Sequence, residues 1–291
     1  MQEPFSAAEA AWAARRRRSV LFLPASNPRA IDKARASAVD VAVLDLEDAV
    51  APEAKDAARE QAVRAVRDGG FGGEVLIRVN GVDTPWFEDD FAAVTASGAD
   101  GVVVPKISDG ATIGFLHGRM AGAPGSMKLW AMIETAQALL NLAGIAAAAG
   151  STRLAALVVG TNDLSKELRC RRRPDRAPLQ PALAQTVAAA RAHGLLAIDG
   201  VYNDFADQAG LEAECEQGRD FGFDGKSLIH PSQIEACNRI FSPSEAELAW
   251  ARKVVEAFAA PEAEGKGAIR VEGGMAERLH LAQAKALLGE G

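Results

Sequence analysis

The chain of 291 residues carries 32 Lys and Arg against 39 Asp and Glu, which gives a formal net charge of −7. This acidic balance disfavours general binding to nucleic acid, and no apolar run approaches the roughly 20 residues of a membrane-spanning helix. The three cysteines, Cys170, Cys215 and Cys237, share no metal-ligand spacing. The composition therefore predicts a globular protein of a reducing cytoplasm, with neither a disulfide framework nor a membrane segment.

Eight short apolar segments alternate with helical stretches along the chain. The expected strands cover residues 19–24, 41–48, 74–80, 101–106, 128–134, 154–160, 195–199 and 223–230. Because these segments are apolar throughout rather than alternating, they indicate a parallel sheet that is covered by helices. Eight units predict a TIM (β/α)₈ barrel, and an open doubly wound sheet is the alternative. No Gly-x-Gly-x-x-Gly follows a strand, which weakens a dinucleotide-binding version of that alternative.

Three regions are expected. Residues 1–17 form an N-terminal extension, residues 18–242 form the barrel, and residues 243–291 form a C-terminal helical segment. Within that segment we predict a long amphipathic helix from 243 to 259, a short strand at 268–271 and a last helix at 275–288. The segment is too small to fold alone, so it is expected to pack on the barrel or on a neighbouring subunit.

Two carboxylates mark the ends of consecutive predicted strands. In a barrel, functional groups gather at the carboxyl ends of the strands. Glu134 and Asp163 hold two such positions, and carboxylates side by side at one mouth suit a hard cation, Mg²⁺ or Mn²⁺, that keeps open positions. The ordinary alternative is a helix-capping or first-turn acid. Asp163 is the stronger candidate for that role, since Thr135 could cap the helix after Glu134.

Other polar or charged groups share the predicted strand ends. They are Asp45, Glu47, Asp48, Asn80, Lys106, Asp199, Lys226 and His230. Lys106 is a candidate Schiff-base lysine, although a simple rim charge is the more ordinary interpretation. His230 is expected to fix a turn by a hydrogen bond.

Arg78 lies at the end of the third strand, within a β-branched run, so its guanidinium is expected to point into the mouth. There it could clamp a carboxylate or an oxyanion, and a structural ion pair with the acids of strand two is compatible with that role. A metal and Arg78 together would suit stabilisation of an enolate during carbon–carbon cleavage or formation. Exposed bases on nearby helices, at Arg29, Lys33, Lys55 and Arg59, could meet phosphates or only water.

A family resemblance is carried by motifs at the strand ends, in one order between about residues 18 and 260. They are Leu-Phe-Leu-Pro24-Ala-Ser, Asp45-Leu-Glu-Asp48-Ala-Val, Ile-Arg78-Val-Asn80, Val-Pro105-Lys106, Ile-Glu134-Thr135, Gly-Thr-Asn-Asp163-Leu and Gly-Lys226-Ser-Leu-Ile-His230-Pro. This set resembles the citrate lyase β-subunit-like branch of the HpcH/HpaI aldolase superfamily. The resemblance implies a TIM barrel in a homotrimer or homohexamer, Mg²⁺ on Glu134 and Asp163, and a substrate-clamping role for Arg78.

The resemblance also implies a substrate class. Relatives cleave or form citryl-CoA, malyl-CoA or similar hydroxyacyl thioesters, so coenzyme A enters as part of the substrate. Glu47 and Asp48 match acids that border the metal waters, and Arg29 and Lys33 fall where relatives meet coenzyme A. These positions predict an Mg²⁺-dependent carbon–carbon lyase that acts on a hydroxy-dicarboxylic acyl-CoA.

One departure from the family pattern concerns the acid–base step. Relatives often end in a Gly-Lys-Met-Val-Asp-like segment, whereas the comparable stretch here ends at Glu277. Asp48 or Glu277 is therefore the candidate proton carrier, and the choice between lyase and thioesterase stays open. A CoA-independent 2-oxo acid aldolase and a β subunit that acts on a carrier-bound ester are further alternatives. No motif accounts for the arginine-rich loop at Arg171–Arg173.

Overall fold

The computed structural model describes residues 15–289 and divides the chain into two units. One unit is Arg16–Phe241, and the other contains the segment from Ser242 onward. The first unit is a closed barrel of eight parallel strands in sequential order, which confirms the predicted TIM barrel. Its strands are β1 Ser19–Pro24, β2 Val41–Asp45, β3 Glu74–Arg78, β4 Gly101–Val104, β5 Lys128–Ile133, β6 Leu154–Val159, β7 Leu196–Asp199 and β8 Gly225–Leu228. Most of the predicted N-terminal extension lies outside the described residues.

Helices follow the strands around the barrel. They are α1 Pro28–Arg35, α2 Lys55–Asp68, α3 Phe87–Thr95, α4 Gly110–Arg119, α5 Ala136–Leu140, α6 Leu142–Ala147, α7 Thr161–Glu167, α8 Gln180–Ala192, α9 Gln208–Phe221 and α10 Ile234–Ile240. The helical stretch after β5 is divided at Asn141, which leaves helical geometry and donates its side-chain amide to the Ser108 carbonyl. Helix α7 follows β6 directly after Gly160. This helix has seven residues, too few to show an apolar periodicity.

The strand pairing aligns the carboxyl ends of the first three strands. Pro24 pairs with Asp45, and Asp45 pairs with Arg78. Pairing of β8 with β1 closes the barrel. The strand side chains are buried almost throughout, because the outward ones pack under the helices and the inward ones fill the barrel. Among the described helices, none is both long and apolar enough to cross a membrane.

The C-terminal unit contains two helices and a hairpin. Its elements are α11 Glu245–Ala259, β9 Ala268–Val271, β10 Gly274–Glu277 and α12 Arg278–Leu288. The last helix begins at Arg278 rather than at Met275, because residues 274–277 pair antiparallel with β9. Glu272 and Gly273 both have positive φ at the turn between the two strands. A right-handed helix cannot include residues with positive φ. Ala251, Val254 and Ala284 form the small core of this unit.

Candidate active site

A cavity of about 390 Å³ opens at the carboxyl ends of the barrel strands. Four of the predicted site residues, Asp48, Arg78, Glu134 and Asp163, line it. The remaining walls include Phe22, Pro24, Asp45, Met132, Gly160, Thr161, Asn162, Val201, Ser227 and Ile229. The barrel therefore brings together the strand-end acids and the arginine that the sequence placed at one mouth.

Arg78 is held by an acid on the neighbouring strand. Its Nε and Nη2 donate to the two carboxylate oxygens of Asp45, each at 2.7 Å. Its guanidinium carbon lies 5.2 Å from the centre of the Phe22 ring. Burial opposes the charge of Arg78, but the carboxylate of Asp45 outweighs that effect and raises the arginine pKa. The structural ion pair that we considered for Arg78 is thus present, and it fixes the guanidinium at the cavity wall.

Glu47 lies beside that pair and is buried. Its Oε2 is 2.9 Å from Arg78 Nη1, yet this oxygen accepts no aligned hydrogen bond among the described residues. Burial raises the pKa of Glu47, although the charge of Arg78 opposes the shift. Glu47 therefore retains an unused acceptor close to the cavity.

Lys106 joins two of the acids from a strained backbone position. Its Nζ donates to Glu47 Oε1 at 2.6 Å, and its backbone N–H donates to Glu134 Oε1 at 2.8 Å. Its φ of 55° is unusual for a residue other than glycine. Burial lowers the pKa of the amine, but the hydrogen bond to Glu47 and the charges of the neighbouring acids together outweigh burial, so the net pKa is raised. A protonated amine of this kind is unsuited to Schiff-base formation.

Glu134 is buried with only 2 % of its surface exposed. Burial raises the pKa of its carboxyl group to about 7, and the negative charge of Glu47 adds to the shift. Gly160 makes room for this side chain, since a Cβ there would lie 2.6 Å from Glu134 Cβ. The sequence analysis did not single out Gly160, although a glycine directly after a strand often marks a close approach.

Asp163 lies in the first turn of α7 and does not cap it. The capping position is Gly160, which offers no side-chain acceptor. The capping interpretation of Asp163 is therefore wrong, whereas its alternative as a first-turn acid is confirmed. Thr135 does cap α5, as its hydroxyl accepts from the N–H of Ala138.

The cavity holds more negative than positive charge. Arg78 and Lys106 already face acids, whereas Asp48, Glu134 and Asp163 form no ion pair within residues 15–289. No group of three or more His, Cys, Asp or Glu side chains in that range is arranged to hold a metal. A typical Mg²⁺ site nevertheless needs only one or two carboxylates from the protein, because water molecules and substrate oxygens supply the other ligands. The donor set and the charge deficit fit such an ion.

A second cavity of about 300 Å³ adjoins the mouth on the β1 side. Arg29 and Lys33 line it, and it shares Phe22 and Pro24 with the mouth cavity. Both bases are exposed and form no ion pair in the described part of the chain. His230 lies on the same wall, where its Nδ1 accepts from the N–H of Ser232, which confirms its expected part in a turn.

Two residues that we placed at the mouth lie elsewhere. Asp199 and Lys226 are fully buried and joined at 3.0 Å, and Asp199 also accepts from Arg176 Nη1 at 2.7 Å. Lys226 donates to Glu214 of α9 at 2.6 Å. Since Ser227 lines the cavity, its neighbour Lys226 must face the helix layer. This cluster joins the barrel wall to its helices.

Lys55 also lies away from solvent, contrary to a phosphate-binding role. Its Nζ donates to Asn80 Oδ1 at 2.7 Å and to the Glu47 carbonyl at 2.9 Å. It therefore supports the backbone that carries the mouth acids. Arg59 pairs with Asp90 at 2.8 Å, so its charge is neutralised as well.

Glu277 ends β10 in the C-terminal unit. It is half-buried, and its backbone N–H donates to His280 Nδ1 at 2.9 Å. Its part in the acid–base step stays a prediction.

Residues 18–231 match the family model described as HpcH/HpaI aldolase/citrate lyase. The chain belongs to this family. Among curated HpcH/HpaI relatives, a (3S)-malyl-CoA thioesterase of Cereibacter sphaeroides is 46% identical over 274 residues, 94% of each chain. The citrate lyase subunit beta of Escherichia coli K12 is 34% identical over 282 residues, 94% of this chain and 93% of that one. These similarities confirm the predicted citrate lyase β-like branch.

A solved HpcH/HpaI relative shows the same fold with ligands present. The protein CitE of Mycobacterium tuberculosis, in complex with magnesium, acetoacetate and coenzyme A, aligns with a TM-score of 0.78 at 31% identity. The alignment covers 95% of this chain and 98% of that one. Magnesium and coenzyme A are thus ligands within the family.

Proposed function

We propose that the protein binds Mg²⁺, or Mn²⁺, through Glu134 and Asp163 and acts on a hydroxy-dicarboxylic acyl-CoA. The observation that carries this proposal is that Glu134 and Asp163 line one cavity. Burial and the negative charge of Glu47 raise the pKa of Glu134 there to about 7, so a positive charge beside the two carboxylates would be stabilising. A bound divalent ion would supply that charge and polarise the substrate oxygens. The complex of CitE with magnesium and coenzyme A supports the same assignment.

The coenzyme A moiety is proposed to lie in the cavity beside β1. Arg29 and Lys33 are exposed there without acidic partners among residues 15–289, so their charges are available to phosphates. The cavity shares Phe22 and Pro24 with the mouth. A thioester in the mouth could therefore keep its phosphates on these two bases.

We propose thioester hydrolysis as the reaction, because the thioesterase relative matches 94% of the chain at 46% identity. Asp48 is exposed on the cavity wall and would take a proton from water as the water oxygen attacks the thioester carbonyl. The carbon–sulfur bond then breaks, and the thiol of coenzyme A receives a proton. Arg78, fixed by Asp45, would stabilise the oxyanion that develops at the carbonyl.

Carbon–carbon cleavage is the second candidate, favoured by similarity to citrate lyase subunit beta. In this reaction Asp48 or Glu277 removes the hydroxyl proton, and the bond beside the carbinol carbon breaks. The electron pair passes to the enolate of the acyl-CoA, which is then protonated. The products are a 2-oxo acid and a shortened acyl-CoA. A homotrimer or homohexamer would accord with either reaction.

The metal assignment is tested with Glu134→Gln and, as a matched control on an exposed helix position, Glu60→Gln. We expect Glu134→Gln to lose Mg²⁺ binding and turnover of malyl-CoA, and EDTA to abolish turnover by the unaltered protein. Glu60→Gln should behave like the unaltered protein. Full activity of Glu134→Gln, or in the presence of EDTA, would exclude the metal role.

Product analysis separates the candidate reactions. Free coenzyme A with an intact hydroxy acid indicates hydrolysis, whereas a shortened acyl-CoA with a 2-oxo acid indicates cleavage. Calorimetric failure to bind coenzyme A would favour a CoA-independent aldolase. Activity restricted to an ester on an acyl carrier would favour a subunit of a larger lyase.

A further inference from the structure

A third cavity adjoins the mouth beside the segments that follow β6 and β7. It has a volume of about 320 Å³ and shares Thr161, Asn162 and Val201 with the mouth cavity. Its outer wall is the arginine-rich loop Arg171–Arg173. Two cavities with basic residues, one beside β1 and one beside the Arg171–Arg173 loop, therefore adjoin the acidic mouth.

Two guanidinium groups on this wall have no acidic partner. Arg173 pairs with Asp175 at 3.1 Å. Arg172 contacts only a neutral group, donating from Nη2 to Asn162 Oδ1 at 3.0 Å, and Arg171 makes no hydrogen bond or ion pair within residues 15–289. Both are exposed, so their charges are available to a ligand.

The loop is anchored at its end. Arg176 is buried, and its Nη1 donates to both oxygens of Asp199 at 2.7 and 2.9 Å. Its Nε donates to Gln217 Oε1 at 2.7 Å, and its φ of 50° holds the backbone in a left-handed turn. This anchoring positions the preceding arginines before any ligand arrives, which reduces the entropy lost on binding.

The positive charges in the mouth are already paired with acids, so few remain available to bind a second anion. Arg78 commits two of its nitrogens to Asp45, and Lys106 commits its amine to Glu47. A carboxylate that reaches beyond the mouth past Thr161 and Val201 would meet uncommitted guanidinium groups on the Arg171–Arg173 wall. Asn162 contacts Arg172 and directly precedes Asp163, so it joins this wall to the proposed metal site.

We propose that the Arg171–Arg173 cavity is a carboxylate subsite whose ligand is held by Arg171 and Arg172. The carboxylate belongs either to a free dicarboxylic acid or to an arm of the acyl group, such as the carboxymethyl arm that citryl-CoA has and malyl-CoA lacks. The acyl-arm source rests on the proposed function, whereas the free-acid source does not. Planar guanidinium groups recognise carboxylates by paired hydrogen bonds, which favours this class of ligand.

The first experiment titrates the full-length protein with succinate by calorimetry. EDTA is present so that no metal in the mouth contributes. The variant Arg171→Gln/Arg172→Gln is compared with Arg64→Gln, which removes an exposed arginine of α2. We expect the double variant to bind succinate at least tenfold more weakly, while Arg64→Gln and the unaltered protein bind it equally. Tighter, equally arginine-dependent binding of inorganic phosphate would overturn the assignment to a carboxylate.

The second experiment measures KM for citryl-CoA and malyl-CoA with the same three proteins. A rise in KM of the double variant for citryl-CoA alone assigns the carboxylate to the acyl arm. Loss of succinate binding with unchanged KM values assigns it to a free acid. Unchanged succinate binding and unchanged KM values would overturn the proposal. Absence of turnover with both esters would reject the proposed function, but the succinate titration would still decide this inference.

Discussion

Gly160 at the end of β6 and Glu134 at the end of β5 fit against each other without space for a methyl group. A Cβ on Gly160 would lie 2.6 Å from Glu134 Cβ and nearer still to its Oε2. Glu134 can therefore occupy this position only because Gly160, at the end of the neighbouring strand, has no side chain.

Gly160→Ala should displace Glu134 and weaken Mg²⁺ binding at least tenfold. The steric conflict should also lower the free energy of unfolding by about 1–3 kcal/mol. Calorimetric Mg²⁺ titration and urea unfolding measure the two effects. Gly114→Ala serves as the control, because a Cβ at that position in α4 meets nothing within 4 Å. Unchanged Mg²⁺ affinity in Gly160→Ala would show that Glu134 does not need this space or does not bind the ion.

The raised pKa of Glu134 makes the metal-free protein less stable as the pH rises. Folding raises this pKa from 4.5 to about 7, so the folded state keeps a proton that the unfolded state loses. The free energy of unfolding should fall between pH 4.5 and 7 by about 3 kcal/mol from this group. Urea unfolding with EDTA at several pH values, for the protein and for Glu134→Gln, isolates that contribution. Parallel curves for the two proteins would contradict it.

Lys106 combines an ion pair with a left-handed backbone, and two substitutions separate these effects. Lys106→Ala and Lys106→Gly both remove the amine from Glu47, but only glycine relaxes the backbone at φ 55°. Lys106→Gly should therefore be more stable than Lys106→Ala by about 1 kcal/mol, as measured by urea unfolding. Both variants should lose activity to a similar extent. A less stable glycine variant would mean that the backbone there is not strained.

The buried cluster around Lys226 should be sensitive to the loss of one charge. Lys226→Met leaves Asp199 and Glu214 with Arg176 alone, which should lower the free energy of unfolding by about 3–5 kcal/mol. Glu212→Gln, which removes the exposed pair with Arg239, should cost at most about 1 kcal/mol. Thermal and urea unfolding provide the comparison. Equal effects of the two substitutions would refute a structural role for the cluster.

The barrel and much of its mouth were predictable because strand ends are visible in the sequence. Glu134 directly follows an apolar run, and Asp163 follows the next run after three residues. Parallel strands place such ends at one edge. It was harder to predict from the sequence whether a side chain at a strand end points into the barrel or toward the helices. Lys226 and Ser227 are neighbours of opposite orientation. Because both are polar, β8 shows no alternation of apolar and polar residues from which to assign them to a face.

Sequence patterns also failed to predict short and polar helices and strands. Helix α7 begins at Thr161 without a capping side chain, so the usual start signal is missing. Strand β10 contains Gly274 and Met275 and is recognisable only by its pairing with β9. The role of Gly160 depends on a contact between two strands, which no local pattern in either segment reveals.

Strand β6 passes into α7 through the single residue Gly160. With no loop between them, the carboxylate of Asp163 has little freedom to move away from Glu134. A pair of ligands at a fixed separation discriminates by ionic size: Mg²⁺ accepts oxygens at about 2.0–2.1 Å, whereas Ca²⁺ needs about 2.3–2.6 Å and more ligands. This one-residue junction would therefore allow the protein to exclude calcium by geometry, even though both ions carry the same charge.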